Sequence, residues 1–289
     1  MHNPAAGVKG GSIVRKVVAA LEAQGATVDI AEPREEGDAG TSPLAVAGYD
    51  AVIAAGGDGT IRALSAAVGG LPVGIIPAGT GNVLATEIGL SRSAAAIADV
   101  LVRGPDIEIE GGYANGAPFF LMAGAGFDGA VVHALDVGLK RRIGKAAYTL
   151  PALRTLLTRP VPLEVTVDGA AHAARWVVVT KASRYGGSFV ISRESGVLKP
   201  GLRAVLFKSH SRLVLLRQLL ALAAGKLESE AGVDILPCRH VTVDGPVLVP
   251  VQIDGDDFGF TPLVVEAGGP RLRLIVPTEF AAHRAGEDA

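Results

Sequence analysis

Ala51-Val52-Ile53-Ala54-Ala55-Gly56-Gly57-Asp58-Gly59-Thr60 decides the fold. A short apolar run follows Asp50 without polar alternation, which predicts a buried parallel strand over Ala51–Ala55. The glycines stop it, and Thr60–Val68 then carries a helical pattern. Glycines let a backbone take positive φ and approach a phosphate closely. Loop N–H groups and the following helix N-terminus favour that anion. Asp58 offers a carboxylate suited to Mg²⁺, directly or through water, while Thr60 can cap the helix and donate to phosphate. The alternative is a tight strand-to-helix turn with Asp58 as its cap.

The same pattern recurs downstream. Val73–Ile76 reads as a second buried strand, and Pro77-Ala78-Gly79-Thr80-Gly81-Asn82 joins it to a helix over Asn82–Ile88. Loops at the strand C-terminal ends of an open parallel sheet share one edge, so both glycine loops are expected on one crevice. Asn3-Pro4-Ala5-Ala6-Gly7 forms a third loop there if a strand precedes it. Only Met1 and His2 do, so either a first strand is missing or the start is misplaced; the alternative is a frayed terminus. Ile13, Val14, Val17, Val18 and Leu21 share one helical face, with Gly25 as the stop. Thr27–Ile30 reads as a strand and Ser93–Val102 as a helix. The expectation is an α/β nucleotide-binding domain with a parallel sheet over residues 1–108.

Near Pro105 the pattern changes to alternation. Asn115-Gly116 gives a hairpin turn before a strand over Phe119–Met122, and Asp168-Gly169 gives another between Leu163–Val167 and Trp176–Val179. Further strands are expected over Ala204–Phe207, His240–Val243, Val249–Ile253 and Leu272–Val276. Helical insertions fall at about 130–158 and 211–224. The expectation is an antiparallel β domain over residues 109–280, followed by a frayed tail over 281–289.

Bulk properties narrow the class. Of 289 residues, 49% are hydrophobic and 19% charged, which excludes a disordered chain. Mean hydropathy is positive, but no uncharged apolar run approaches the roughly 20 residues needed to span a bilayer. The start lacks the pattern of a signal peptide. A net charge of −2 speaks against nucleic acid as a partner. Cys238 is the single cysteine, so no intrachain disulfide or cysteine-built zinc site forms, which suits a reducing cytoplasm.

The ordered set of loops resembles the diacylglycerol kinase catalytic-domain family, which includes bacterial lipid kinases and the sphingosine and ceramide kinases. The resemblance runs on through Gly124-Ala125-Gly126-Phe127-Asp128, Lys140-Arg141-Arg142-Ile143-Gly144-Lys145, Arg184-Tyr185-Gly186-Gly187 and Gln252-Ile253-Asp254-Gly255-Asp256. It implies an NAD kinase/diacylglycerol kinase-like α/β domain, a lipid-binding β-sandwich over residues 109–280, and an active site between them. It also implies transfer of the γ-phosphoryl group of ATP to a lipid hydroxyl with Mg²⁺. ATP would be held by Asn3, Gly7, Gly56, Gly57, Asp58, Gly59, Thr60, Gly79, Thr80 and Asn82. Asp58 would organise the metal, and Asp128 would add a second carboxylate unless it caps the following helix. Asp256 stands where the family has the Glu proposed as general base. Its reach is shorter by about 1.5 Å, a single bond, and Asp257 is a candidate substitute. The alternative is an ordinary Asp-Gly hairpin turn. Val83 replaces the Asp that many bacterial members carry after the loop asparagine, which leaves the metal arrangement and substrate open.

Lys140, Arg141, Arg142 and Lys145, with Arg154 and Arg159, are candidates for contact with anionic lipid headgroups, or else a solvated helix face. The expected partners are therefore ATP, a lipid substrate and an anionic membrane surface touched peripherally from the cytoplasm, with a homodimer left open. Leu213, Leu216 and Leu220 read as core or lid packing. Gly124, Gly126 and Gly129 match Gly-x-Gly-x-x-Gly but lack the acid about 20 positions on that binds ribose. Asp257-Phe258-Gly259 has no His-Arg-Asp loop before it. The rival functions are an NAD kinase-like enzyme, which shares Gly-Gly-Asp-Gly-Thr, and a non-catalytic lipid or nucleotide sensor.

Overall fold

The computed structural model describes residues 7–31, 46–136, 138 and 144–287. The chain divides into two compact units, residues 1–109 with 271–289, and residues 110–270. The first contains α1 (Gly7–Glu22), β1 (Val52–Gly56), α2 (Asp58–Ser65), β2 (Val73–Pro77), α3 (Val83–Glu87) and α4 (Ala94–Arg103). Val14, Val17 and Leu21 bury one face of α1 against Ile97 and Ala98 of α4, and Gly25 at φ 86° ends the turn after the helix. β1 and β2 run parallel, in register from Val52↔Val73 to Gly56↔Pro77, so both end at one level. Ala54, Ala55, Ile75 and Ile76 are buried on both faces, as a covered parallel sheet requires. Thr27–Ile30 is not a strand: it joins no ladder among the described residues, and Ile30 is exposed. β-favouring side chains without a neighbouring strand leave the backbone unpaired.

The second unit is a pair of antiparallel sheets. β3 (Asp106–Ala114), which begins in the first unit, turns at Asn115-Gly116 into β4 (Ala117–Phe119); β5 (Met122–Ala125) then joins the other sheet. The chain continues through α5 (Phe127–His133), a 3₁₀ turn at Gly144–Tyr148, a helix at Thr149–Leu157, and β6 (Leu163–Val167), β7 (Ala170–Ala174) and β8 (Trp176–Thr180). After the short pair β9 (Arg184–Tyr185) and β10 (Phe189–Val190) come β11 (Leu202–Phe207) and a helix at Arg212–Ala223. The last strands are β12 (Val233–Cys238), β13 (His240–Asp244), β14 (Pro250–Ile253), β15 (Asp256–Phe260) and β16 (Leu263–Ile275). Within this unit β7, β6, β13 and the start of β16 form one sheet, and β12-β11-β8-β5-β14-β15 form the other. Val165, Val241 and Val265 of the first meet Ala123, Val177, Leu206 and Val251 of the second in one core. Asn115-Gly116, Asp168-Gly169 and Asp254-Gly255 each have two successive positive φ angles, the two-residue turn that matches strand twist.

Four expectations need correction. The single strand expected over Phe119–Met122 is two strand ends in different sheets, because the chain crosses at Phe120-Leu121. The hairpin partner of β6 is Ala170–Ala174 rather than Trp176–Val179. Small alanines conceal a strand that pairs at a sheet edge, whereas β8 is buried on both faces and pairs with β5 and β11. Residues 271–280 lie with the first unit, not the second. β16 continues through Gly268-Gly269-Pro270, and Leu274 pairs in parallel with Val73. Finally, the tail is helical over Thr278–Glu287, initiated by Phe280 and Ala281 N–H groups donating to Pro277 O. Three of its residues, Ala281, Ala282 and Ala285, are alanines, the strongest helix formers, and only Gly286 disfavours the helix.

Candidate active site

The two glycine loops leave β1 and β2 side by side and are bonded to each other. Gly56 O accepts from Ala78 N at 3.0 Å and Gly79 N at 3.1 Å. The Gly57 and Gly79 backbones touch, so a Cβ on Gly79 would lie 2.4 Å from Gly57 Cα. A Cβ on Gly56 would meet Thr60 Oγ1 at 2.2 Å. Gly57 stands at the N-cap of α2, which therefore begins at Asp58. Thr60 lies inside the first turn and is not the cap that the sequence implied.

Asp58 turns away from its own helix. Its Oδ1 accepts from Leu84 N and its Oδ2 from Val83 N, both at 3.0 Å. One carboxylate thus satisfies two of the orphan N–H groups that open α3. Asn82 precedes them in the left-handed region at φ 49°, and its Nδ2 donates to Gly79 O at 2.7 Å. Asn82 Oδ1 is buried without a hydrogen-bond partner among the described residues. The second loop is therefore pinned to the first by an acid and closed on itself by an amide. Gly59, Thr80 and Gly81 complete this edge, half-buried. Gly7 opens α1, while Asn3 lies outside the described residues.

A second cluster occupies the sandwich unit. Asp128, in the first turn of α5, is buried and sits over Gly124, where any Cβ would meet its Oδ2 at 2.3 Å. Gly126 takes φ 109°, and a Cβ on Gly129 would strike Pro250 O at 2.0 Å. The three glycines of the discounted fingerprint thus serve close approach around Asp128. Asp128 Oδ1 accepts from Gly129 N at 2.8 Å, and its Oδ2 accepts from Gln252 Nε2 at 2.9 Å. Gln252 Oε1 in turn accepts from Gly255 N at 2.8 Å. One glutamine side chain therefore links the Asp128 carboxylate to the turn that carries Asp256.

Burial pushes the Asp128 carboxyl from 3.8 up to about 6, opposed by donation from Gln252 and Gly129 and by the nearby Trp176 indole. Trp176 Nε1 is buried without a hydrogen-bond partner among the described residues. The Tyr185 hydroxyl is held well above its ordinary range by burial, then by the charges of Asp128 and Tyr148, and stays protonated. Because the folded state raises the Asp128 pKa, its contribution to stability is complete below about pH 4 and is lost as pH rises through about 6. A rise from 3.8 to about 6 corresponds to roughly 3 kcal/mol. Urea unfolding from pH 4 to 7.5 should therefore show wild type losing stability relative to Asp128→Asn by up to that amount. A pH-independent difference would mean that Asp128 titrates normally.

Asp254 opens the turn itself and is buried. Its Oδ2 accepts from Phe120 N at 3.1 Å, and its Oδ1 accepts from Leu121 N at 2.9 Å and Met122 N at 3.0 Å. It fixes the segment where the chain changes sheets. Asp256 follows as the first residue of β15 and is half-buried. Asp257 is exposed and engaged with His133 Nδ1 at 2.9 Å. Gln252, Asp254 and Tyr185 lie in the motifs that carry the family resemblance, but the sequence assigns them no role, and Trp176 reads there only as part of a strand. The Asp-Gly turn and the two motifs are the signals for Asp254, Gln252 and Tyr185, whereas nothing local marks Trp176 as a neighbour of Asp128.

The same unit holds an apolar pocket of about 100 Å³, walled by Phe127, Trp176, Phe207, Leu215, Leu248 and Pro250. Trp176 stacks on Phe207 with ring centres 3.8 Å apart. Strand alternation sends Val177 and Leu206 into the sandwich core and Trp176 and Phe207 to the opposite face. Cys238 is buried and its thiol pushed up to about 12, chiefly by desolvation, so it is unreactive. Lys140, Arg141 and Arg142 and the side chain of Lys145 lie outside the described residues. No described helix is long and apolar enough to cross a membrane.

An α/β unit with paired glycine loops, followed by an antiparallel sandwich with an acid-bearing hairpin, defines a class that comparison makes specific. Residues 1–114 match the diacylglycerol kinase catalytic domain, and residues 122–276 match the YegS C-terminal NAD kinase beta sandwich-like domain. This chain belongs to the diacylglycerol kinase catalytic-domain family. It is 30% identical over 242 residues to the diacylglycerol kinase of Mycobacterium tuberculosis, spanning 80% of this chain and 78% of that protein. It is 26% identical to the diacylglycerol kinase of Bacillus subtilis over 81% of this chain and 80% of that one. A match to an uncharacterized Synechocystis protein, 25% identical, spans 79% of this chain but 55% of that protein's length. In fold it resembles the crystal structure of a diacylglycerol kinase from Bacillus anthracis, with a TM-score of 0.72 and 22% identity over 93% and 92% of the two chains.

Proposed function

We propose that this protein is a lipid kinase that transfers the γ-phosphoryl group of ATP to the hydroxyl of a diacylglycerol- or sphingoid-like lipid. The observation that carries this reading is the pair of glycine loops tied together by the Asp58 carboxylate. The backbone N–H groups of Gly57, Gly59 and Thr80 are the donors suited to cradling the phosphates, and Asn82 Oδ1 is a buried acceptor with no hydrogen-bond partner among the described residues. Mg²⁺ that arrives with a nucleotide keeps most of its ligands as water and phosphate oxygen and needs few protein carboxylates. One loop acid, Asp58, fits that demand through water. The ion would neutralise charge on the transferred group.

On the sandwich side, the apolar pocket suits a short stretch of an acyl or alkyl chain, and Phe127 in its wall is the chain neighbour of Asp128. Asp256 is assigned as the general base that takes the hydroxyl proton as the oxygen attacks phosphorus. Asp128 serves as a positioning group acting through Gln252 on the Asp256 turn.

The direct test incubates the protein with labelled ATP, Mg²⁺ and a panel of diacylglycerol, ceramide, sphingosine and NAD. Label in a lipid supports the reading; label in NAD alone replaces it with the NAD kinase alternative. Asp58→Asn is the matched control, expected to lose at least about 100-fold in rate. Its amide nitrogen would face a backbone N–H where the carboxylate now accepts, loosening the second loop. Full activity of a folded Asn variant would remove Asp58 from the mechanism.

A further inference from the structure

Two helices of the sandwich unit expose leucine where water should be. On Thr149–Leu157, Leu150, Leu153 and Leu157 recur at helical spacing; on Arg212–Ala223, Leu213, Leu216 and Leu220 do the same. All six are exposed, led by Leu213 at 80%, Leu157 at 63% and Leu220 at 62%. The stripe expected to be core or lid packing is therefore the outward face. The inward face of its helix is taken by Leu215, Gln218, Ala221 and Leu222. The two helices pack against each other, and both wall the apolar pocket, whose rim carries Leu248 at 70% exposure. An apolar surface of this continuity marks a site that something covers.

Charge identifies what covers it. Arg159, Arg175, His210 and Arg212 line a basin that adjoins the apolar pocket, with Arg159 and Arg175 common to both. None of their side chains has a hydrogen bond or ion pair among the described residues. Neither helix contains an Asp or Glu. A second copy docking through the same face about a two-fold axis would bring this unpaired cation cluster toward its own image, and like charges oppose that. A leaflet of anionic phospholipid offers an acyl layer for the leucines and phosphates at the depth that flanking arginines reach.

We propose that this face docks on an anionic phospholipid bilayer. The leucines of both helices enter the acyl boundary, Arg159, Arg175 and Arg212 bind headgroup phosphates, and the pocket mouth opens onto the leaflet. The membrane contact is thereby carried by these helices as well as, or in place of, the basic segment at 140–145. Only the last step, entry of a lipid into the pocket, rests on the lipid-kinase reading.

Vesicle co-sedimentation without ATP and without substrate lipid tests docking by itself. Wild type should bind phosphatidylcholine vesicles that contain phosphatidylglycerol and release as ionic strength rises. L213S/L220S should bind at least about tenfold more weakly with an unchanged melting temperature. R159A/R212A should bind more weakly and with a shallower salt dependence. Leu213→Cys carrying an environment-sensitive dye should shift to the blue on those vesicles; labelling is specific because Cys238 is buried. Turnover of a monomeric short-chain diacylglycerol separates the two readings. It should be equal in wild type and L213S/L220S, and its absence from both alongside weakened vesicle binding would sink the kinase reading and leave docking standing. Unchanged vesicle affinity of L213S/L220S without a dye shift would overturn the proposal. So would a wild-type dimer that these substitutions dissociate while vesicle binding persists.

Discussion

Asp256→Ala is expected to lower the rate of lipid phosphorylation at least about 100-fold while ATP binding is retained, the scale set by loss of a positioned base. Asp256 follows a turn held from two sides, by the Asp254 carboxylate on Phe120, Leu121 and Met122 and by Gln252 Oε1 on Gly255 N. Its place is therefore fixed by backbone rather than by its own side-chain length. Asp257 is already engaged with His133 and is a poor substitute. If Asp256 is the base, Asp256→Glu should keep or raise the rate, because the longer acid restores about 1.5 Å of reach. Misplacement of about 1 Å can itself cost about 100-fold. Two results would count against this assignment: a fully active Ala variant, or an inactive Glu variant beside an active wild type. The first makes Asp256 a turn residue. The second means that the site is built around the shorter acid.

Asp254→Ala should be the most destabilising single change in the sandwich unit, by about 3–5 kcal/mol in urea unfolding. A buried carboxylate that accepts three backbone N–H groups is replaced by nothing, leaving those donors desolvated and unpaired. Alanine must also hold φ 50°, which adds about 1 kcal/mol of strain. Against a total stability of about 5–15 kcal/mol, that loss is severe. Asp254→Asn tolerates the backbone and retains an oxygen for the Leu121 and Met122 bonds, so roughly half the loss is expected. Equal stability of all three proteins would show that the sheet-crossing segment holds without its acid.

The legible parts of this fold are those whose cause is local. The apolar runs at Ala51 and Val73 announced covered strands, and Asn115-Gly116 and Asp168-Gly169 announced turns whose positive φ angles are observed. What escaped depends on residues far apart in the chain. The crossing at Phe120-Leu121 is dictated by Asp254, more than a hundred positions later. The strongly apolar Trp176–Val179 outweighs Ala170–Ala174 in the periodicity of the sequence, whereas strand pairing follows the Asp168-Gly169 turn. The leucines at 213, 216 and 220 carry the same spacing whether they face a core or a bilayer, and only their exposure separates the two. The loop motifs located a glycine-rich edge correctly, yet could not show that the Asp58 carboxylate is directed at Val83 and Leu84.

The route of β16 bears on how this protein is born. The α/β unit begins to emerge from the ribosome first, but residues 271–275, which add a strand beside β2, are made only after the whole sandwich. During synthesis β2 waits with an open edge, a template for adventitious pairing. An N-terminal fragment ending near residue 109 should for that reason aggregate when expressed alone. A version in which the 271–287 segment is spliced back onto it through a flexible linker should stay in solution.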